Sequence, residues 1–188
     1  MMDELLARAI TRTEDRPTAV SLTDTSQDDA PLVYVNAAFE KMTGYGRQEV
    51  LGRNCRFLQG PGTDPDAVAR IRKAVHDQSE TAVCLLNYKK DGTPFHNLLM
   101  IAPIERAFHG RYFIGCQYQI DRHMRPTDID MQVANVQGVI RDISHEEETR
   151  LTPVIWRSLI ARSSAIRLVV DAYLLSVPLL HPDRPREG

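Results

Sequence analysis

The residues best placed to do chemistry lie in one stretch, Gly52-Arg53-Asn54-Cys55-Arg56-Phe57-Leu58-Gln59-Gly60. Glycines bracket a short helical turn that holds a cysteine between an asparagine and an arginine. The thiolate is the nucleophilic form of cysteine, and an adjacent guanidinium biases the thiol toward it. Gln59 follows one turn after Cys55 and Arg56, so thiol, guanidinium and carboxamide can address one anionic, hydrogen-bonding ligand. The ordinary role of an isolated cysteine is that of a small buried hydrophobe. Cys84 and Cys116, in strand-like runs with apolar neighbours, are assigned that role. Three widely spaced cysteines are no disulfide framework. None has the close spacing of a zinc site, and the histidines at 76, 96, 109, 123, 145 and 181 show no ligand spacing, so no metal is expected.

The surrounding pattern tells which elements must hold this stretch. Residues 2–13 are amphipathic, with Leu5, Leu6, Ala9 and Ile10 at helical spacing, and read as a terminal cap on a core. Ala19–Thr23 and Leu32–Asn36 are short β-prone runs, followed by helical pieces at Ala37–Thr43 and Arg47–Val50. A longer helix near Pro65–Gln78 opens with Asp64 as N-cap and Pro65 at the first position. Val68, Ile71, Ala74 and Val75 form its buried face. Thr81–Lys90 and Pro94–Glu105 flank Asp91-Gly92, a strong hairpin signal, and Tyr112–Ile120 is a third long strand. Two strands, small helices and three strands make an α+β fold, an antiparallel sheet with small helices on one face.

After Asp121 the strands stop. Ile129, Val133, Val136, Ile140 and Ile143 step by an average of 3.5 residues, a coiled-coil-like seam. Pro153 breaks the run, and a second helix over about Val154–Ser176 carries Ile155, Leu159, Ile166, Val170 and Tyr173 along one side, with Trp156 as an anchor. Residues 122–180 thus read as a helix–turn–helix hairpin, and 181–188 as a disordered tail.

With 188 residues, 23 Lys+Arg and 25 Asp+Glu, the chain has a net charge of −2. That balance argues against binding nucleic acid by bulk charge and against a polybasic membrane anchor. The acidic start is no signal peptide, and no run reaches the roughly 18–20 apolar residues of a membrane span. The expectation is a cytoplasmic protein with reduced thiols.

The motif at 52–60, with the element order over 18–121, resembles the flavin-binding LOV blue-light sensors of the PAS superfamily. The resemblance implies a PAS-like five-stranded antiparallel sheet, with 1–17 as an N-terminal helical cap and FMN as cofactor. Cys55 matches the cysteine that forms a light-induced bond to flavin carbon C4a, and Asn54 the asparagine beside the isoalloxazine. Arg56 and Arg72 match two phosphate-binding arginines, and a bidentate guanidinium suits a terminal phosphate. Gln59 belongs beside them. Asn87 and Asn97 match asparagines on the polar pyrimidine edge, and Gln117 the glutamine next to N5. Leu32, Tyr34, Leu58, Val68, Ile71, Leu99, Ile101 and Phe113 are candidates to line the pocket. Two departures stand out. Ala30-Pro31 replaces a common Asn-Pro, and Ser21 stands where an apolar residue is usual. A polar Ser21 near the cysteine admits water, which implies faster dark recovery.

The implied activity is a reversible photocycle without substrate turnover, so no enzyme is expected. The output is expected through the flanking helices, by a homodimer of the N- and C-terminal helices and a downstream protein partner. The alternative is a light-gated DNA-binding regulator. Arg150, Arg157, Arg162 and Arg167 favour it, and the nine arginines against ten acids in 121–188 oppose it. A PAS domain binding another ligand, or a flavin redox sensor without the sulfur bond, is a third reading.

Overall fold

A computed structural model describes residues 4–104, 112–121, 126–143 and 163–176. In chain order the elements are α1 (Glu4–Thr13), β1 (Ala19–Asp24), β2 (Leu32–Val35), α2 (Ala37–Thr43), α3 (Arg47–Val50), a 3-10 turn (Cys55–Leu58), α4 (Pro65–His76), β3 (Thr81–Tyr88), β4 (Pro94–Ile104), β5 (Tyr112–Ile120), α5 (Pro126–Ile143) and α6 (Ser163–Ser176). The strands form one antiparallel sheet in the order β2-β1-β5-β4-β3. This is the PAS-like fold expected from the sequence.

Local chemistry sets the boundaries. Asn36 caps α2 by accepting from the Phe39 N–H, and Asp64 caps α4 by accepting from the Asp66 N–H, with Pro65 at the first position. The β3–β4 hairpin closes at Asp91-Gly92, though not as the two-residue mirror turn. Only Gly92 takes a positive φ, 85°. Its N–H donates to Lys89 and the Lys89 N–H donates to Thr93, so the loop ends on a single left-handed glycine.

Alternation along the strands divides the sheet into two apolar faces. The outer face carries Val20, Leu22, Leu98, Met100, Ile114 and Cys116, and joins one core with Val139 of α5 and Ile166 and Val170 of α6. Ile10 of α1 packs against it, as the cap reading requires. The helices therefore cover both faces of the sheet, with the small helices on one side and the terminal helices on the other. Val139, Ile166 and Val170 are thus used within the chain, with Val169, Tyr173 and Leu174 packed against the same core, while Met131 and Leu175 stay exposed. The side chains of Leu5, Leu6, Ala9, Ile129, Val133, Val136, Ile140 and Ile143 lie outside the described residues, as do 144–162 and 177–188.

Two polar clusters tie α1 down. Tyr34 Oη donates to Glu14 Oε2 at 2.6 Å, and Arg47 Nη2 meets Glu14 Oε1 at 2.5 Å. Burial works against the Glu14 carboxylate, but hydrogen bonds from Tyr34 and Arg47 outweigh it and hold its pKa below the ordinary value. Asn36 is fully buried. Its Nδ2 donates to the carbonyls of Thr13 (2.9 Å) and Thr18 (2.8 Å), and its Oδ1 also accepts from Val20 N–H (2.9 Å). One carboxamide thus joins the end of α1, the start of β1 and the first turn of α2. Asn36→Ala leaves several buried backbone groups unpaired and should cost about 3 kcal/mol. Urea unfolding measures it, and a loss within about 0.5 kcal/mol, the level of an ordinary surface change, would refute this role.

Candidate functional site

The inner sheet face closes over a cavity of about 480 Å³, roofed by the 3-10 turn and α4. Thr23 and Ser21 come from β1, Leu99 and Ile101 from β4, and Phe113, Gly115 and Gln117 from β5. The turn contributes Asn54, Cys55, Arg56 and Gln59. From α4 come Val68, Ile71, Arg72 and Val75, an i, i+3, i+4, i+7 spacing on one helical face. The residues of α4 that are buried are Ala67 and Ala74; Val68 and Val75 line the cavity, and Ile71 both lines it and packs against the core cluster of Ala67, Val83 and Leu85.

The structure thus brings together twelve of the residues singled out from the sequence. Five others do not line the cavity. Leu32 and Leu58 belong to a separate core with Val35, Phe39 and Val50. Tyr34 points to the outer face, toward Glu14. The cause is a bulge in β2. Leu22 pairs with Tyr34 but Thr23 with Leu32, so Val33 is an extra residue and Leu32 and Tyr34 no longer share a face. Asn87 and Asn97 lie on the inner face but behind the lining. Asn97 Nδ2 donates to Asn87 Oδ1 at 2.9 Å, and Asn87 Nδ2 donates to the Leu58 carbonyl at 3.1 Å. They are diagonal and not directly opposed, since Asn87 pairs with Phe95 and Leu85 with Asn97.

Cys55 is half-buried, at the start of the turn that Asn54 caps. Burial pushes its thiol up to about 12. Burial thus works against the bias toward thiolate that an adjacent guanidinium gives. The neighbouring guanidinium is engaged elsewhere: Arg56 Nη1 meets Asp29 Oδ1 at 2.5 Å. Asp29 sits in the β1–β2 loop with φ 64°, followed by Ala30 at φ 46°, both in the left-handed region that non-glycine residues rarely adopt. Asn54 Nδ2 helps hold this loop by donating to the Asp29 carbonyl at 2.6 Å. No sequence pattern pointed to Asp29. Thr23, Val75 and Gly115 were open to detection, being two residues from Ser21, one turn along α4 from Ile71, and two residues from Gln117.

The cavity fits a flat ligand rich in hydrogen-bonding groups and ending in an anion. Gln117 Oε1, in the lining, is buried without a hydrogen-bond partner, a costly state that a ligand donor would relieve; Asn97 Oδ1, behind the lining, is also unpartnered. Gly115 leaves open the space where a Cβ would sit 2.7 Å from Ser21 Oγ. Arg56 and Arg72 stand among its lining. Among the described residues no group of His, Cys, Asp or Glu could hold a metal ion, and no helix is long and apolar enough to cross a membrane.

Comparison with known proteins shows the family of the chain. The family model for the PAS domain matches residues 17–145. Blue-light-activated histidine kinase 2 of Erythrobacter litoralis is 45% identical over 130 residues, 67% of this chain and 38% of that protein. The chain spans less than half the length of the curated relatives it matches. The solved LOV domain of the Erythrobacter litoralis EL346 blue-light activated histidine kinase is 48% identical, with 56% of this chain and 98% of that one covered and a TM-score of 0.55. The LOV protein of Rhodobacter sphaeroides is 29% identical with a TM-score of 0.80 over 93% of this chain and all of that one (100%), so the likeness reaches beyond the sheet into the terminal helices. With that sequence motif and this cavity, the chain belongs to the PAS family and, within it, to the LOV domains.

Proposed function

We propose that this chain is a blue-light photoreceptor that binds FMN in the cavity and forms a reversible, light-induced bond between Cys55 Sγ and flavin C4a. The observation that carries the reading is that the Cys55 side chain lines the same cavity as an unpartnered buried carboxamide oxygen, Gln117 Oε1. The flavin, when bound, supplies light absorption and the electrophilic carbon. Cys55 supplies both the sulfur and a proton. Gln117 can accept or donate toward the ring, because the two ends of an amide have opposite character. Arg56 and Arg72 suit the phosphate, and Asn87 and Asn97 suit the pyrimidine edge. The flavin-binding core is proposed as residues 18–121, with 1–17 and 122–180 as its helical extensions. The photocycle turns over no substrate.

The output is proposed to pass from β5 to the terminal helices. Gln117 faces the cavity, and the next residue, Tyr118, faces outward and donates to the Gln132 carbonyl of α5 at 3.2 Å. Met131 of α5 and Leu175 of α6 are exposed apolar side chains, 54% and 86% accessible, and suit a contact with a second copy of the chain. A cytoplasmic location and a downstream protein partner complete the proposal. Nothing in the described residues favours the DNA-binding alternative, and the side chains of Arg150, Arg157, Arg162 and Arg167 lie outside them.

The purified chain should show a structured flavin band that bleaches after a blue flash and recovers in darkness, and Cys55→Ala should abolish the bleach. Because the thiol stays protonated below its raised pKa, the bleach should keep its size from about pH 6 to about pH 9. A flavin band that never bleaches would overturn the photoreceptor reading. Arg56→Gln should weaken FMN about tenfold or more relative to riboflavin, in keeping with one charged hydrogen bond to phosphate. Equal losses for the two flavins would remove Arg56 from that role. Light and dark samples should differ in size-exclusion elution at equal concentration. Identical monomeric elution in both would remove the dimer.

A further inference from the structure

The buried polar groups on β1 and β5 are unevenly satisfied. Gln117 and Ser21 are 2% and 3% exposed. Gln117 Nε2 donates to Ser21 Oγ at 2.9 Å, and Ser21 Oγ in turn donates to the Gly115 carbonyl at 3.4 Å. Gln117 Oε1 has no partner. A serine hydroxyl has one proton. With that proton directed to Gly115, only lone pairs remain for Gln117, so Ser21 selects the NH₂ end of the carboxamide. The oxygen end is left for the cavity. Rotating the amide would set Gln117 Oε1 against the Ser21 lone pairs unless Ser21 gave up its carbonyl partner.

We propose that Ser21 is a positioning residue: by accepting from Gln117 Nε2 it presents Gln117 Oε1 as a hydrogen-bond acceptor, and so favours bound flavin that carries a proton on N5 over oxidised flavin. The inference rests on the flavin reading above. In the oxidised ring N5 only accepts. When the Cys55 thiol adds across the C4a–N5 double bond, the S–H bond breaks, the S–C4a bond forms and the proton passes to N5. No outside oxidant or reductant is needed, and recovery reverses each change. The N5–H then meets an acceptor already in place. Ser21 acts through Gln117, and its effect is to lengthen the life of the sulfur–flavin bond. This is opposite in sign to the water entry expected of a polar residue here, because the hydroxyl is already engaged by Gln117 and Gly115.

The experiment uses the full flavin-loaded chain and three substitutions, Ser21→Ala, Ser21→Val and Ser21→Thr. After a blue flash, Ser21→Ala and Ser21→Val should recover about threefold to tenfold faster, the range of one neutral hydrogen bond. Ser21→Thr, which keeps the hydroxyl, should recover at the parent rate. The second readout is the flavin midpoint potential in a Cys55→Ala background, where no bond to sulfur forms. It should become more negative when Ser21→Ala is added and return with Ser21→Thr, since reduction also places a proton on N5. If Ser21→Ala does not retain flavin, Ser21→Cys keeps the shape with a weaker acceptor and should move both readouts in the same direction. Unmoved lifetime and potential in a loaded chain overturn this proposal alone, and a longer lifetime in Ser21→Val reverses it in favour of water entry. A parent chain that takes up no flavin overturns it together with the reading beneath it.

Discussion

Every long strand of this sheet has two faces, and neither can be left to water. Side chains alternate with period two, so Val20 and Leu22 point one way while Ser21 and Thr23 point the other. The outer face is apolar along β1, β4 and β5 and is buried by the terminal helices. The inner face interrupts its apolar run with Ser21, Asn87, Asn97 and Gln117, all buried. Such groups are costly unless paired. The inner face is therefore only partly completed by the protein, and the unpaired oxygen of Gln117 lies where a ligand can complete it. The cavity follows from this difference between the two faces.

The same alternation makes the sheet a thin partition. Gln117 and Tyr118 are adjacent in the chain and on opposite faces, one toward the cavity and one toward α5. His96 of β4 stands on the outer face, with its Nδ1 3.0 Å from Tyr173 Oη of α6. A rearrangement of the Gln117 amide thus occurs one peptide away from a group bonded to a terminal helix. Close packing transmits small displacements because the interior has little room to absorb them.

Electrostatics around Cys55 favour a neutral resting site. Burial raises the thiol, and Asp29 engages the neighbouring guanidinium. A charged thiolate facing a largely apolar cavity would bear a desolvation cost, whereas a thiol bears little. The ion pair between Arg56 and Asp29 is more than half exposed, so it is weak and open to exchange with another anion.

Much of the fold was legible in the sequence because it is set by local rules. The caps at Asn36 and Asp64, the Asp91-Gly92 turn, the helical spacing of Val68, Ile71 and Val75 and the β-rich runs are read within a few residues, and the Gly52–Gly60 stretch carries the family resemblance whole. The tertiary structure decided what depends on partners far apart in the chain. A single extra residue in β2 sent Tyr34 to the outer face, and no local pattern announces a bulge that exists only against β1. Arg56 found Asp29 across 27 positions, and burial, set by the whole fold, raised the Cys55 thiol. Ser21 found Gln117 across 96, which turned an apparent departure into the anchor of a carboxamide. Propensity and periodicity are properties of neighbouring residues, whereas the protonation of a buried group and the orientation of a buried amide are set by whatever the fold brings within about 3 Å.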